Sequence, residues 1–291
     1  MRRLLLAMLT AVLALALLAG CGGPKAEAPK PAPKQANPDV ILATTTSTQD
    51  SGLLDVLIPA FEKKTGYKIK TIAVGSGQAI AMGQKGEADV LLTHAPDAEK
   101  KVVEAGAVVN RRLVMHNDFI IVGPAADPAK VKGKKAKEAL ESFAKTQAIF
   151  ISRGDNSGTH QLEKKLWAQA GIKPAGAWYQ EAGAGMGQTL KIASEKNGYA
   201  VTDRATFLAH KKNVALDILV EGDSVLLNIY HVMEVNPAKF AKVNKDGAKA
   251  FADFLLSAEG QEMIKVFGKD KYGQPLFFAD GGKTEKDLTG K

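Results

Sequence analysis

The stretch AIFISRGDNSGTHQLEKKLWAQAG, residues 148–171, leads from an apolar segment through a polar turn into a helical pattern. Its first residues are typical of a buried strand, and QLEKKLWAQAG repeats apolar residues at the spacing of a helix face. The nine residues from Ser152 to His160 carry no apolar side chain. A strand followed by such a turn and a helix is the unit from which α/β folds are built.

The same unit recurs along the chain. Apolar or alternating segments predict further strands at DVILATTTS, YKIKTIAV, ADVLLTH, NDFIIVG and GYAVTD. Helical patterns lie between them, and the helix that contains Leu57 and Phe61 is expected to end at Gly66. Near the C-terminus, AKAFADFLLSAEGQEMIKVFG predicts one more helical stretch. Strands separated by helices of this length favour parallel α/β sheets with right-handed crossovers.

Two segments, residues 117–127 and 226–237, are predicted to cross between two α/β lobes. On this interpretation residues 39–122 and 228–291 form lobe I, and residues 123–227 form lobe II. Since ligands of open α/β sheets bind at the carboxyl ends of the strands, we expect a binding cleft between the lobes.

The N-terminal sequence MRRLLLAMLTAVLALALLAGC has two arginines, an uncharged apolar run and the only cysteine of the chain. This order is typical of an export signal, and LLAGC resembles the lipobox of bacterial lipoproteins. We therefore expect a signal peptide at residues 1–20, lipidation of Cys21 and a Pro-, Ala- and Lys-rich tether over residues 21–38. A transmembrane anchor is the alternative. Either way the folded part lies outside the cytoplasm, held to a bacterial membrane in the periplasm or on the outer face of the cell.

Composition and missing motifs narrow the function. A chain of 291 residues, 45% of them hydrophobic, can bury a sizeable core. The net charge of +8 comes from scattered lysines, and without a recognition module it does not indicate a nucleic-acid partner. The sequence contains no P-loop, HExxH or GxSxG motif. We therefore expect a monomeric binding protein that is not an enzyme and uses neither a cofactor nor a metal ion of its own.

Three polar turns are the candidate ligand contacts: TTTST at Thr44–Thr48, GSG at Gly75–Gly77 and SRGDNSGT at Ser152–Thr159. Each precedes a helix, whose first N–H groups lack intrahelical partners and whose dipole favours an anion. Arg153 adds a planar charged fork for two oxygens of a tetrahedral oxyanion, and Asp155 is expected to orient that fork. A fourth loop, EAGAGMGQT, can line the same ligand. Each turn taken alone also fits ordinary helix capping.

The chain resembles the tungstate-binding lipoproteins of bacterial ABC transporters in seven segments between about residues 40 and 280: ATTTSTQDSGLLDVLIPAFEKKTG, GSGQAI, ADVLLTHAPDAE, NDFIIVGP, SRGDNSGTHQLEKKLW, EAGAGMGQTL and YAVTDRAT. The resemblance implies a two-lobed α/β fold of the periplasmic-binding-protein type II class. It also implies that the cleft between the lobes captures tungstate, with molybdate as the second candidate, and that the anion is then passed to an ABC permease and its ATPase. The implied ligand contacts are Thr46, Ser47, Ser76, Arg153, Ser157, Gly158 and Thr159. Further residues expected to line the ligand are Thr45, Gly77, His94, Gly185 and Met186.

The chain is also similar to phosphate-binding relatives, in which a carboxylate on the strand that matches ADVLLTHAP accepts the proton of hydrogen phosphate. Here Thr93 and His94 end that strand, and Asp89 lies near its beginning. A site without a carboxylate acceptor suits a fully deprotonated dianion such as tungstate, molybdate or sulfate. Only the resemblance favours tungstate over molybdate, and a phosphate-binding protein stays an alternative.

Two other classes of function are consistent with the sequence. Ser157 and His160 stand three residues apart, and as nucleophile and base they would make an exported hydrolase of phosphate or sulfate esters. We assign His160 to helix packing or capping instead. A sensory module that signals to a membrane receptor is the third class. Neighbouring genes for a permease and an ATPase would favour transport over signalling.

Overall fold

Strands and helices alternate through residues 33–289, the part of the chain that the computed structural model describes. The predicted signal peptide, the lipidation site Cys21 and tether residues 21–32 lie outside the described residues. The strands are β1 (Asp39–Thr45), β2 (Lys68–Val74), β3 (Val90–Thr93), β4 (Val108–Gly123), β5 (Phe150–Ser152), β6 (Tyr179–Glu181), β7 (Ala200–Asp203), β8 (Asp217–Val220), β9 (Leu227–Val235) and β10 (Phe278–Ala279). The α-helices are α1 (Thr46–Asp50), α2 (Leu54–Thr65), α3 (Ser76–Lys85), α4 (Pro96–Glu104), α5 (Ala136–Thr146), α6 (Gly158–Gln169), α7 (Met186–Glu195), α8 (Arg204–His210), α9 (Lys245–Leu256), α10 (Ala258–Val266), α11 (Lys269–Tyr272) and α12 (Glu285–Thr289).

The main described sheet has mixed strand directions. Its order is β10-β4-β9-β3-β1-β2, and β7 and β8 pair with the far end of β4. Strand β1 is parallel to β2 and β3, whereas β9 runs antiparallel to both β3 and β4. Strands β5 and β6 form a separate parallel pair. The expectation of parallel strands holds for β1, β2 and β3. It is wrong for β4 and β9, which run antiparallel to their neighbours.

Strand β4 takes part in two regions of the fold. Its first part pairs with β9, and residues 119–123 pair with β7 and β8. Its apolar side chains divide in the same way. Val114 and Met115 are buried in a cluster drawn from residues 40–115 and 205–277, whereas Phe119 and Ile121 are buried in one drawn from residues 119–226. The segments expected to cross between lobes contain the end of β4 and all of β9.

Helix boundaries follow local capping signals. Helix α2 ends at Gly66, whose φ of 79° is left-handed, which confirms the predicted C-cap. The segment predicted as one helix near the C-terminus is two helices, α9 and α10, separated by Ser257. The hydroxyl of Ser257 accepts a hydrogen bond from Gly260 N at 3.2 Å. A serine in this position starts a new helix because it satisfies a backbone N–H that has no intrahelical partner.

The described end of the predicted tether contacts the folded part. Gln35 Nε2 donates to Thr65 O at 2.7 Å, and Pro38 O accepts from Lys68 N at 2.7 Å. Between residues 33 and 289, helices of the length and apolar character needed to cross a bilayer are absent. The same residues contain no group of three or more His, Cys, Asp or Glu side chains arranged to hold a metal ion.

Candidate anion-binding site

Four helix N-termini build the candidate site, those of α1, α3, α6 and α7. Their N-cap residues are Thr45, Gly75, Ser157 and Gly185. The hydroxyls of Thr45 and Ser157 each accept a hydrogen bond from the backbone N–H three residues further on. The two glycine caps offer no side chain to the N–H groups of their helices. Because a helix N-terminus carries partial positive charge, four of them together favour an anion.

The four helix starts lie against one another. Arg153, in the turn before α6, donates from Nη2 to Thr46 Oγ1 at 3.1 Å. A Cβ atom added at Gly185 would lie 3.4 Å from the same Thr46 Oγ1. One added at Gly75 would lie 3.3 Å from Asp155 O. The fold thus brings the three turns and the fourth loop found in the sequence into contact at one place.

Arg153 is the cation of the site, and its side chain is almost entirely buried. Its Nη2 donates to Asp155 Oδ2 at 2.5 Å as well as to Thr46, and its Nε donates to Ala184 O at 3.3 Å. The other oxygen of Asp155 accepts from Ser157 N at 3.1 Å. Asp155 therefore ties the guanidinium to the start of α6, which fixes the direction in which the fork points.

Three buried polar atoms of the site have no hydrogen-bond partner: Ser76 Oγ, Arg153 Nη1 and Thr159 Oγ1. All three residues are at most 1% exposed. Elsewhere in residues 33–289 the only buried side-chain atoms of this kind are Arg112 Nε, Asp203 Oδ2 and His210 Nδ1. An unpaired buried polar group costs about 1–3 kcal/mol, so folded proteins keep few of them. Two hydroxyls and a guanidinium N–H left unpaired together match a ligand that accepts hydrogen bonds.

Two glycines allow the turns to approach this closely. A Cβ at Gly158 would lie 2.8 Å from His94 O and 2.9 Å from His94 Nδ1. At Gly77 it would lie 2.9 Å from the backbone oxygen of Asn156. Real Cβ atoms do not come so near, so only glycine fits at either position. The two glycines belong to the turns for which the sequence predicts ligand contacts, and each brings one helix start against a neighbouring segment.

His94 lies behind the start of α1. Its Nε2 is 3.1 Å from Ser47 Oγ, and its Nδ1 is 2.8 Å from Asn228 Oδ1. The ring stacks on Tyr230 with 4.7 Å between centroids. Burial lowers the pKa of His94 to about 4, against a smaller opposing effect of the carboxylate of Glu99. The imidazole is therefore neutral at neutral pH.

Thr45 and Met186 were also expected to line the ligand, but neither offers it an unpaired polar side chain. Thr45 Oγ1 is shared between Thr48 N, Thr48 Oγ1 and Ser47 Oγ, so its hydroxyl already has protein partners. The side chain of Met186 is buried in an apolar cluster with Leu190 and Phe207. Met186 therefore anchors the first turn of α7 in the core with its side chain.

Several polar residues behind the site were missed by reasoning from the sequence. Asn228 Nδ2 donates to Asn117 Oδ1 at 2.7 Å, and Asn117 Nδ2 donates to Asp203 Oδ1 at 3.3 Å. Asp50 Oδ2 accepts from Gly187 N at 3.2 Å, which joins α1 to α7. Asp203 alone had a local signal, because it ends a strand and caps α8 through Thr206 N.

The carboxylates near the strand β3 are held by protein groups. Asp89 accepts from Ile41 N at 2.7 Å and from Asn244 N at 2.6 Å. At the other end of β3, Thr93 Oγ1 donates to the buried carboxylate of Glu99 at 2.7 Å. Arg111 also binds Glu99, at 2.9 Å. Both carboxylates are thus engaged in the scaffold of the sheet.

The geometry does not favour the hydrolase with Ser157 and His160. Ser157 Oγ accepts from the backbone N–H of His160 at 3.2 Å, as an N-cap does. The ring Nδ1 of His160 accepts from Asn156 N at 3.0 Å. Burial also lowers the pKa of His160, which weakens it as a base. These contacts stabilise the turn before α6 and do not pair a nucleophile with a base.

A cavity of about 820 Å³ opens beside the site and shares His94 and Gly158 with it. Its other walls come from α4, β4, α6, residues 222–225, β9 and α12, with apolar residues such as Phe119 and Leu166. The three unpartnered polar atoms belong to residues outside its lining. The candidate anion site is therefore next to this cavity and distinct from it.

Comparisons with known proteins agree with this architecture. Residues 32–259 match the model of a PBP superfamily domain. The chain is 49% identical over 283 residues to the tungstate-binding protein TupA of Peptoclostridium acidaminophilum, covering 96% of this chain and 99% of that protein. A crystal structure of the tungstate ABC transporter from Geobacter sulfurreducens is 49% identical with a TM-score of 0.73, over 79% of this chain and 98% of that one. The tungstate-binding protein TupA from Desulfovibrio alaskensis G20 is 46% identical with a TM-score of 0.69, over 84% and 99%.

The family match covers more than half of the chain, and the identities extend over most of its length. The α/β fold of the periplasmic-binding-protein type expected from the sequence is confirmed by these relatives. The chain belongs to the periplasmic-binding-protein (PBP) superfamily, in the family that includes the TupA proteins.

Proposed function

We propose that this chain is an extracytoplasmic solute-binding protein of an ABC transporter and that it captures tungstate where the four helix starts meet. The observation that carries the proposal is the set of three buried donors without partners, on Ser76, Arg153 and Thr159. Oxygens of one tetrahedral anion can satisfy all three. The role is binding and not catalysis, with tungstate as the cargo and not as a cofactor.

The donor set favours a fully deprotonated dianion. Both oxygens of Asp155 already accept hydrogen bonds, from Arg153 and from Ser157 N. A ligand that carries a proton needs an acceptor from the site, whereas a dianion needs only donors. Tungstate, molybdate and sulfate therefore suit the site better than hydrogen phosphate.

Tungstate is preferred among these dianions on the strength of the relatives. The chain is close to half identical to two proteins named as tungstate-binding TupA. Molybdate is the nearest competitor, because it is a tetrahedral dianion with the same charge. The hydrogen bonds described above suit tungstate and molybdate equally, so the preference for tungstate comes from the relatives alone.

The site is proposed to lie between two lobes, residues 39–122 with 228–291, and residues 123–227. The apolar clusters support nearly this division. Two of them draw on the first set apart from Ala205, and the other two draw on the second set together with Phe119, Ile120, Ile121 and Val122 at the end of β4. Contacts such as Arg153 to Thr46 and Gly187 to Asp50 then join lobe II to lobe I. Release of the anion requires these contacts to open, with β4 and β9 as the hinge.

The leader sequence supports a lipid-anchored protein, which we propose acts as a monomer. Cleavage and lipidation at Cys21 would attach residues 21–38 to the membrane, in the periplasm or on the outer face of the cell. A tether of this length lets the folded part reach an ABC permease and its ATPase in the same membrane.

The decisive test is native mass spectrometry of the purified protein with tungstate, molybdate, sulfate and phosphate present together. We expect one tungstate bound per chain, and molybdate as the second most abundant bound anion. Isothermal titration calorimetry with each anion alone then measures the affinities. Absence of binding for both tungstate and molybdate would contradict the proposed function, and turnover of an aryl phosphate would favour a hydrolase.

Arg153→Ala tests the site within the same experiment. It removes the cation of the site, and an ion-paired hydrogen bond contributes about 1.5–3 kcal/mol, so the affinity is expected to fall at least tenfold. Arg112→Ala is the matched control, because Arg112 is paired with Glu234 and Asp253 away from the helix starts. If Arg153→Ala and Arg112→Ala bind tungstate with equal affinity, Arg153 does not contact the anion.

A further inference from the structure

A line of buried polar side chains runs behind the site from Asp203 to Ser47. Asp203 Oδ1 accepts from Asn117, Asn117 Oδ1 accepts from Asn228, and Asn228 Oδ1 meets His94 Nδ1 at 2.8 Å. The other ring nitrogen, His94 Nε2, lies 3.1 Å from Ser47 Oγ. All five residues are buried. Because each hydrogen bond joins one donor to one acceptor, fixing the donor at one end of this buried line fixes the donor at every following step.

The direction of the line is set at its carboxylate end. Asp203 Oδ1 is an acceptor, so the amide group that faces it is Asn117 Nδ2 and the free oxygen of Asn117 faces Asn228. The nitrogen of Asn228 donates to Asn117 and also to Tyr230 OH at 3.0 Å. Its oxygen must then face His94. An amide oxygen only accepts, so the hydrogen between these two residues sits on His94 Nδ1.

The same logic determines the hydrogen of Ser47. A neutral imidazole with its hydrogen on Nδ1 has a lone pair on Nε2, and within residues 33–289 the group hydrogen-bonded to Nε2 is the Ser47 hydroxyl, which therefore donates to it. Burial holds the pKa of His94 near 4, with Glu99 as the facing carboxylate and Arg153 as the facing cation. A hydroxyl has one hydrogen. When that hydrogen is given to His94, it is not available to a bound anion.

We propose that His94 is a positioning residue of the anion site, which accepts the hydroxyl hydrogen of Ser47 and so prevents that hydroxyl from donating to the oxyanion. The anion part of this statement rests on the proposed function. Ser47 then has only its backbone N–H to offer, whereas the hydroxyls of Ser76 and Thr159 donate to the anion directly. Two serines that look equivalent in the sequence therefore have opposite roles.

The spacing of Ser47, His94 and Asn228 is also that of a nucleophile, a base and an orienting amide. The low pKa of His94 makes its ring a poor general base at neutral pH, and the hydroxyl of Ser47 is fully buried. The arrangement is therefore suited to holding a hydrogen in place and not to moving one.

The first test reads the tautomer of His94 directly in the anion-free protein. Two-bond ¹H–¹⁵N correlation spectra of protein labelled at histidine nitrogens distinguish a hydrogen on Nδ1 from one on Nε2, and His94→Gln identifies the signals. We expect the Nδ1–H form at pH 7, unchanged after tungstate is added. The Nε2–H form, or a doubly protonated ring at pH 7, would overturn the proposal. Because no ligand is needed, this result stands apart from the proposed function.

The second test compares tungstate affinities by calorimetry. Ser47→Ala is expected to change the dissociation constant by less than threefold, whereas Ser76→Ala raises it at least tenfold. Ser51→Ala is the control for folding, since its buried hydroxyl binds Thr48 O at the far end of the same helix. A loss for Ser47→Ala equal to that for Ser76→Ala would refute the assignment. A wild-type protein that does not bind tungstate contradicts the proposed function instead and leaves the tautomer result to decide.

Discussion

Replacing Thr159 with valine is expected to stabilise the free protein and to weaken anion binding at the same time. Valine keeps the shape of threonine and removes the buried hydroxyl that has no partner. Such an unpaired group costs about 1–3 kcal/mol, so the free energy of unfolding should rise by roughly that amount. For a chain of this size each kcal/mol corresponds to a rise in Tm of about 2–4 °C.

The loss in binding follows from the same hydroxyl. A hydrogen bond to a charged ligand contributes about 1.5–3 kcal/mol, which corresponds to a dissociation constant raised roughly tenfold to a hundredfold. Differential scanning calorimetry without anion and isothermal titration with tungstate measure the two effects separately. Thr65→Val is the matched control: its hydroxyl donates to Phe61 O at 2.8 Å, so it should lose stability and keep its affinity.

The reasoning fails if Thr159→Val lowers the Tm and leaves the affinity unchanged. That outcome would mean that the hydroxyl of Thr159 has a structural partner in solution and does not meet the anion. A change of the same sign in stability and in affinity would equally contradict the assignment, because an unpaired donor that awaits a ligand must act on the two in opposite directions.

Three further changes test other parts of the structure. Gly158→Ala places a Cβ 2.8 Å from His94 O and should weaken tungstate binding at least tenfold by calorimetry; unchanged affinity would mean that the turns do not meet. Burial raises the pKa of Asp203 from 3.8 to about 6, so the folded protein holds a proton there that the unfolded chain loses, and stability falls as the pH rises from about 4 to 6. Asp203→Asn should remove this slope in urea unfolding and gain up to ~3 kcal/mol at pH 7; a slope that persists would refute the shift. The pKa of Glu163 is likewise raised by burial to about 7, so Glu163→Gln should remove a fall in stability between about pH 4.5 and 7, seen in unfolding curves at the two pH values.

Local signals in the sequence were sufficient to find the helix starts of the site. A hydroxyl or glycine before a helical pattern is a property of a few consecutive residues, and Thr45, Gly75 and Ser157 are N-caps in the structure. The closing glycine of α2 follows the same rule. The helix after Arg153 could be predicted because its turn contains no apolar residue.

Long-range pairing could not be predicted in this way. Asn117 and Asn228 stand opposite each other in β4 and β9, and nothing near either residue in the sequence indicates the other. The antiparallel direction of these strands was missed for the same reason, since the separation of strands by helices does not specify which strands become neighbours. The buried side chain of Met186 shows a related limit, because its position at the start of a helix does not reveal from the sequence that its side chain packs in the core.

In the two-lobed arrangement proposed above, the pairing of β4 with β9 constrains the movement that opens the site. Two antiparallel strands resist sliding, because a shift by one residue breaks their hydrogen bonds and turns alternate side chains to the wrong face. A turn about their common axis preserves this register, because it does not shift one strand along the other. The amides of Asn117 and Asn228 lie close to that axis, where a rotation displaces atoms least. The helix starts are not part of this strand pair, so in the proposed opening a small turn of the joint can separate the groups that hold the anion while the amide pair stays bonded.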